Sequence, residues 1–309
     1  MTATAAGLPA IEIHHARRPN ALRGLASFLR RKPLGAVGGA LLLMMVLVAA
    51  TAPWLARYNR LEFHTSDTFK SPNSTYWMGT DDKGRDVFSR VVYGARISLE
   101  VGVLAVAFGT SFGLLVGLVS GYLGGRIDFF AQRVVDSFQA FPALILGIMA
   151  TTALRQKDWA FPGMTPEVTK VGIAIALATW PGASRVIRSS VLAQKNVMYV
   201  EAARAVGAQT PRIIFRHILP NVASIYIVLA TAGLAAAILA EASLSFLGAG
   251  VPAPEPSWGG MLLEAQRQAV RAPWLAIFPG VAISIAVFGF SLFGDALRDF
   301  WDPRLRGSR

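Results

Sequence analysis

The sequence has no cysteine, only four histidines, and a charged fraction of 16%. Without cysteine there is no disulfide framework, no thiolate nucleophile and no Cys-built zinc or iron–sulfur site. No H-E-x-x-H pair is present to hold zinc, and no G-x-x-x-x-G-K-[ST] loop to cradle nucleotide phosphates. If the protein works with ATP, another chain binds it. Soluble domains carry about 25% charged and about 45–50% apolar residues. Here 53% of 309 residues are hydrophobic and mean hydropathy is +0.46, which argues against a soluble enzyme with one compact core. The charge that remains is lopsided, 30 Lys+Arg against 18 Asp+Glu, a net +12. A nucleic-acid partner would want basic residues clustered with aromatics on one folded face. The basic residues are instead divided among segments separated by apolar runs, so nucleic acid is not expected.

A helix needs about 20 mostly apolar residues to cross about 30 Å of hydrocarbon. Uncharged windows occupy 33–56, 101–125, 137–154, 218–240 and 272–294. A sixth, 171–184, ends at Arg185 but extends to about Leu192 if Arg185 and Arg188 lie near its polar end. The expected fold is an all-α membrane protein with six transmembrane helices. The first window also reads as a signal peptide, with Arg30-Arg31-Lys32 ahead of an apolar core. A long segment precedes it and five more spans follow, which favours an uncleaved anchor.

Basic residues in the loops set orientation. With the N-terminus cytoplasmic, inside segments hold 18 Lys+Arg and outside segments 12. Seven of those twelve lie in the 57–97 loop, beside Glu62, Asp67, Asp81, Asp82 and Asp86; without that loop the ratio is 18 to 5. Both termini are therefore expected inside. Most of the positive charge then borders helix ends, where anionic membrane lipid and acidic partners can meet it.

Within the windows, Gly113, Gly117 and Gly121 recur every four residues, a small-residue stripe suited to helix packing. Pro142, Pro181 and Pro279 lie in or beside three spans, where a kink can serve a gate or only shape the bundle. Glu100, Asp136, Glu241 and Asp295 fall near span ends rather than at midplane, so proton coupling is a minor hypothesis. Gly109-Thr110-Ser111-Phe112-Gly113 matches G-x-S-x-G, but it sits mid-span with no histidine base at that depth and reads as chance.

The 196–221 segment, NVMYVEAARAVGAQTPRIIFRHILPN, is the best punctuated part of the chain. Tyr199 to Val206 reads as a short helix with small Ala202, Ala203 and Ala205, and Gly207 stops it. Thr210 as N-cap and Pro211 in the first turn open a second helix over 212–218, which Pro220 breaks before the fifth span. Glu201, Arg204, Arg212 and Arg216 are expected to be exposed. An ordinary polar loop would have no need of this alanine and isoleucine content.

These residues carry a resemblance. Glu201-Ala202-Ala203, Gly207 and Leu219-Pro220 resemble the EAA loop of ATP-binding-cassette (ABC) importer permeases. His217 in Arg216-His217-Ile218-Leu219-Pro220-Asn221 is similar to the C-type permeases of oligopeptide and dipeptide importers. Met78-Gly79-Thr80-Asp81, Gly84-Arg85-Asp86-Val87-Phe88-Ser89-Arg90 and Gly94-Ala95-Arg96-Ile97-Ser98-Leu99 resemble the stretch before that family's second helix. Glu241-Ala242-Ser243-Leu244-Ser245-Phe246-Leu247-Gly248 and Pro256-Ser257-Trp258-Gly259 look like its fifth-helix end. Asp295-Ala296-Leu297-Arg298-Asp299 and Asp302-Pro303-Arg304 look like its C-terminus.

The resemblance implies a type I permease: one N-terminal helix plus a five-helix core, with a cytoplasmic coupling helix between helices 4 and 5. It divides the chain into a tail (1–29), a first transmembrane helix (30–56) and an extracytoplasmic loop (57–97). The core (98–298), with coupling loop 196–221, and a cytoplasmic tail (299–309) follow. Glu201, Ala202, Ala203 and Gly207 would dock an ATPase, and His217 and Pro220 would shape the return to the membrane. The implied partners are a second (B-type) permease, two cytoplasmic ATPases and an extracytoplasmic substrate-binding protein, in a bacterial or archaeal inner membrane. The resemblance asks no catalysis and no cofactor of this chain. Di- or oligopeptides are the expected cargo, with nickel, glutathione, opines or another small solute as alternatives on the same machinery. A stand-alone secondary carrier, which would show inverted repeats, is more remote.

Overall fold

The computed structural model describes residues 32–156 and 158–301, without the side chains of 300 and 301. The 1–29 tail, Arg30-Arg31 and Asp302-Pro303-Arg304 lie outside the described residues. Eleven α-helices are present among the described residues, and no β-strand. They are α1 (Pro33–Ala50), α2 (Ala52–Leu55), α3 (Val87–Leu123), α4 (Gly125–Gln139), α5 (Ala143–Leu154), α6 (Pro166–Gln194), α7 (Met198–Ala205), α8 (Thr210–Ile213), α9 (Leu219–Phe246), α10 (Trp258–Ala265) and α11 (Trp274–Trp301). By length and composition, α1, α3, the continuous rod from α8 through α9, and α11 are each able to cross a membrane.

The expected third span is not one helix. Its first residues belong to α4, the chain turns by 90°, and α5 completes the segment. Pro142 is the cause, because its ring pushes the preceding residue out of helical backbone. Its own ψ of 129° is extended. At about 1.5 Å per residue α5 is only about 18 Å long, so the bent pair would have to act together as one crossing. Pro181 and Pro279, by contrast, lie inside continuous helices.

The expected fourth span is the 29-residue helix α6, opened by Thr165, whose hydroxyl accepts from the Val168 amide at 3.4 Å. It is not among the helices apolar enough to cross by composition alone. Its less apolar sequence is matched by a close partner, since α3 and α6 make the most extensive helix pairing among the described residues. A Cβ added to Gly109 would meet Ala176, one at Gly113 Trp180 and Ala183, one at Gly117 Ser184 and Ile187, and one at Gly121 Arg188 and Val191. Numbers rise together along both helices, so α3 and α6 run parallel. The chain must therefore travel back between them, and α4 with α5 is the only segment available. Two ion pairs fasten that return to the far end of α6: Arg188 forks onto Asp128, and Arg185 meets Asp136 at 2.5 Å.

The other pairings are antiparallel. Ser98 faces Glu241, and Gly102 faces Ile238, setting α9 against α3. Gly38 lies against Gly289 and Phe293, setting α1 against α11. At the end of the bundle remote from the 196–221 loop, α3 begins at Val87, so 87–97, expected to be loop, forms its first turns. The Asp86 carboxylate caps it by accepting from the Ser89 amide at 2.9 Å. The preceding loop is fastened down rather than free. Arg60 forks onto Glu255 at 3.0 and 3.1 Å, and Arg85 and Arg90, both buried, share Glu264 at 2.9 Å each.

Candidate functional site

The 196–221 segment folds against the ends of α3, α6 and α9. In α7 the side chains of Val200 and Ala203 point inward, into a cluster with Leu118 of α3, Ile187 and Val191 of α6, and Ile213, Ile218 and Val222. Val200 is wholly buried, which contributes about 1.5–3 kcal/mol. Helix spacing then leaves Glu201, Ala202, Arg204 and Ala205 exposed on the opposite face. Of the residues expected to dock an ATPase, Ala203 alone is turned inward, where it packs α7 onto the bundle.

The end of α7 follows from Gly207. Its φ of +83° is left-handed backbone, which a glycine adopts without a Cβ penalty. The Gly207 amide donates to the Arg204 carbonyl at 2.9 Å, and the Ala208 amide to the Ala203 carbonyl at 3.0 Å. This double closure satisfies two of the four orphan carbonyls at the helix end. The second helix departs from expectation at two points. Gln209 takes the N-cap position without a side-chain bond, and Thr210 and Pro211 fall inside the first turn. Nor does Pro220 break the helix. A π-turn over Ile214–Ile218 precedes it, with the Leu219 amide donating to the Ile214 carbonyl. Proline lacks an amide donor and its ring crowds the carbonyl four residues earlier. The wider π-turn takes up that conflict, and the helix runs on into α9.

Some members of this site were not foreseen. Met198 and Val206, at the two ends of α7, and Phe215, after α8, are 81%, 85% and 66% exposed, adding apolar surface to the loop that carries Glu201 and Arg204. Tyr199 and Asn221 clasp the loop: the Tyr199 hydroxyl donates to Gln194 at 2.5 Å, and the Asn221 amide donates to Tyr199 at 3.1 Å and to the His217 carbonyl at 2.7 Å. The half-buried His217 ring lies 6.4 Å from that of Tyr199. The Arg204 guanidinium lies 5.7 Å from the Tyr122 ring, tying α7 to the last turn of α3. For Val206, a large apolar side chain next to a helix-stopping glycine was the sequence signal.

Residues 113–307 match the profile of the binding-protein-dependent transport system inner membrane component. The chain belongs to that family. Residues 26–72 also match the N-terminal TM domain of oligopeptide transport permease C. The dipeptide transport system permease protein of Alkalihalophilus pseudofirmus is 40% identical, over 90% of this chain and 88% of its own. The oligopeptide transport system permease protein of Bacillus subtilis is 37% identical, again over 90% and 88%. The glutathione transport system permease protein of Pectobacterium atrosepticum is 38% identical over 89% of each. In fold, the chain is similar to the inward-facing MetNI methionine ABC transporter, with a TM-score of 0.55 and 20% identity over 67% of this chain and 93% of that one. The all-helical, multi-pass architecture is thus that of an inner-membrane permease of the ABC importer class.

For this permease family the remaining motifs can be placed. Glu241 is fully buried between α3 and α9, accepting from Ser98 at 3.1 Å and from Ser245 at 2.7 Å. The carboxylate thus ties two spans together through hydroxyls. Ser111 of the G-x-S-x-G match lies mid-α3, hydrogen-bonded to Tyr226 at 2.8 Å. Its neighbour is a phenol on the facing span.

Proposed function

We propose that this permease forms half of the pore of an ATP-driven importer of di- or oligopeptides, and that α7 is where a cytoplasmic ATPase moves it. The cargo reading rests on relatives at 37–40% identity across nine-tenths of the chain that are named for dipeptide and oligopeptide transport. The observation that carries the coupling reading is the two-faced character of α7. One side is packed into the bundle, and the other presents Glu201, Ala202, Arg204, Met198 and Val206. A load applied to the exposed side is transmitted through Val200 and Ala203 into α6 and α9, because packed elements shift as bodies rather than deforming.

In this reading the chain crosses the membrane six times, through α1, α3, the bent α4–α5 pair, α6, the α8–α9 rod and α11. The parallel α3–α6 and antiparallel α3–α9 and α1–α11 pairings are consistent with that path. Both termini and the 196–221 loop lie on the cytoplasmic side. A second permease completes the pore, two ATPases hydrolyse ATP, and a binding protein delivers cargo to the 57–97 side. The test is Gly207→Val in the assembled importer, since valine is strained at φ +83°. Peptide imported per ATP hydrolysed is expected to fall several-fold while the complex still purifies intact; wild-type coupling would remove the assignment of α7. The glutathione relative favours a second cargo, itself a short peptide, and competition between glutathione and trialanine for uptake separates the two.

A further inference from the structure

At the end of the bundle remote from α7, a cavity of about 360 Å³ opens between the end of α5, the start of α6 and the loop after α9. Lys170, Thr151, Arg155, Asp158 and Glu167 line it, and Gly248 to Gly250 form the facing wall. Lys170 is the unusual member. It is 8% exposed, yet among the described residues no carboxylate lies within ion-pairing distance of its ammonium. Fully buried lysines are rare unless paired, because taking an ammonium out of water is costly. Among the described residues its ammonium donates one hydrogen bond, to the Arg155 carbonyl at the end of α5, at 3.3 Å. An ammonium has three donors, so two remain for another acceptor. The neighbouring threonines do not compete for that acceptor. Thr151 donates to the Gly147 and Ile148 carbonyls and Thr152 to the Ile148 carbonyl.

The geometry points to this cavity as a waiting site for a short peptide, whose terminal carboxylate is held by Lys170 with Arg155 beside it. The inference rests on the peptide reading above. Two acids, Asp158 and Glu167, share the cavity and offer acceptors to the ammonium end of the same zwitterion. The volume is at the small end for ligand sites, which suits a few residues rather than a long chain. Its place beside the first turns of α6 and the loop after α9 sets it at the end of the bundle where cargo would enter.

The test compares trialanine with its C-terminal amide in proteoliposomes holding the complete importer and its binding protein. Each peptide is supplied at a concentration that loads the binding protein. Lys170→Met is expected to cut trialanine uptake about ten-fold, the usual scale for losing a charged hydrogen bond, and to change amide uptake less than two-fold. Lys170→Arg should recover most of the trialanine rate. Thr152→Trp, on the exposed rim, narrows the cavity while leaving the lysine in the chain, and should lower uptake of both peptides, which keeps the site testable if Lys170→Met fails to assemble. Equal loss for both peptides in Lys170→Met would mean that Lys170 only caps α5, and unchanged uptake of both in either variant would remove the site. A wild-type importer that carries neither peptide would overturn the peptide reading itself, and this inference with it.

Discussion

Replacing Gly117 by alanine tests the seam on which the bundle depends. A Cβ there would stand 2.5 Å from the Ser184 carbonyl oxygen, 2.9 Å from the Ile187 Cβ and 3.0 Å from the Arg188 amide nitrogen. None of these atoms can rotate away, so α3 and α6 must part by about 1 Å to restore ordinary contact, which forfeits about a quarter to a half of each pair's dispersion well. Overpacking of this kind costs about 1–3 kcal/mol. Alanine returns about 1 kcal/mol through its better helix propensity, leaving a net loss of about 1 kcal/mol. Gly182 in α6 and Gly280 in α11 provide the comparison, since a Cβ at either meets nothing within 4 Å. Alanine there keeps only the propensity gain, about 1 kcal/mol. Thermal unfolding of the purified complex should place Gly117→Ala below the wild type and both comparison variants at or above it. The separation should be on the order of 5 °C. If Gly117→Ala melts with Gly182→Ala and Gly280→Ala, the backbone-to-backbone seam is refuted.

Two further predictions concern the loop ahead of α3. Lys70 at 2.6 Å and the Tyr76 hydroxyl at 2.7 Å hold the Asp67 carboxyl at about 2, below its ordinary 3.8. The folded value lies below the unfolded one, so the stability it lends is full above pH 3.8 and is lost as pH falls towards 2. Burial and the bond to Asp67 push Tyr76 up to about 12. Its stabilisation is full below pH 10 and is lost as pH rises to about 12. Tyrosinate absorbance checks this: one of the six tyrosines should titrate near pH 12 and vanish in Tyr76→Phe, and a common midpoint near 10 would overturn the assignment. Glu264→Ala removes the carboxylate that Arg85 and Arg90 share. Breaking a buried pair costs about 3–5 kcal/mol, but the Glu264 side chain is 30% exposed, so a loss of about 2 kcal/mol is expected after screening. A variant that melts with the wild type would show that Asp81 and Asp82, at 2.6 and 3.7 Å from Arg85, hold the arginines without Glu264.

The charge-free windows located α1, α3, α9 and α11 because membrane insertion is a local property of composition. The stop at Gly207 was legible for the same reason, as one residue type fits that backbone. What escaped the sequence depended on distant partners. The 87–97 turns of α3 carry Arg90 and Arg96 and so read as loop; Arg90 is neutralised by Glu264, 174 positions away. The order of the 57–86 segment rests on Arg60 reaching Glu255, 195 positions away. The π-turn ahead of Pro220 escaped for a different reason: proline marks a conflict in the helix but not which way the chain resolves it. In the Glu201-Ala202-Ala203 stretch, spacing could name Ala203 but not its direction, which depends on the apolar floor that Leu118 and Ile187 provide.

These placements give α6 a particular mechanical position. At about 1.5 Å per residue its 29 residues form a rod about 43 Å long. Lys170 stands in its first turns, and α7 hangs from its last turn through the Gln194–Tyr199 bond. From Gly109 to Gly121 the rod lies against α3 at backbone contact, so sliding or bending of α6 alone would drive glycine backbone into Trp180, Ser184 and Arg188. The pair must therefore move as one body. In the coupling proposed above, a displacement imposed at α7 would reach the Lys170 cavity as a rotation of the α3–α6 pair against α9, whose facing contacts there are the Ser98–Glu241 and Gly102–Ile238 junctions. Those junctions, rather than the α3–α6 seam, would then be where the bundle opens.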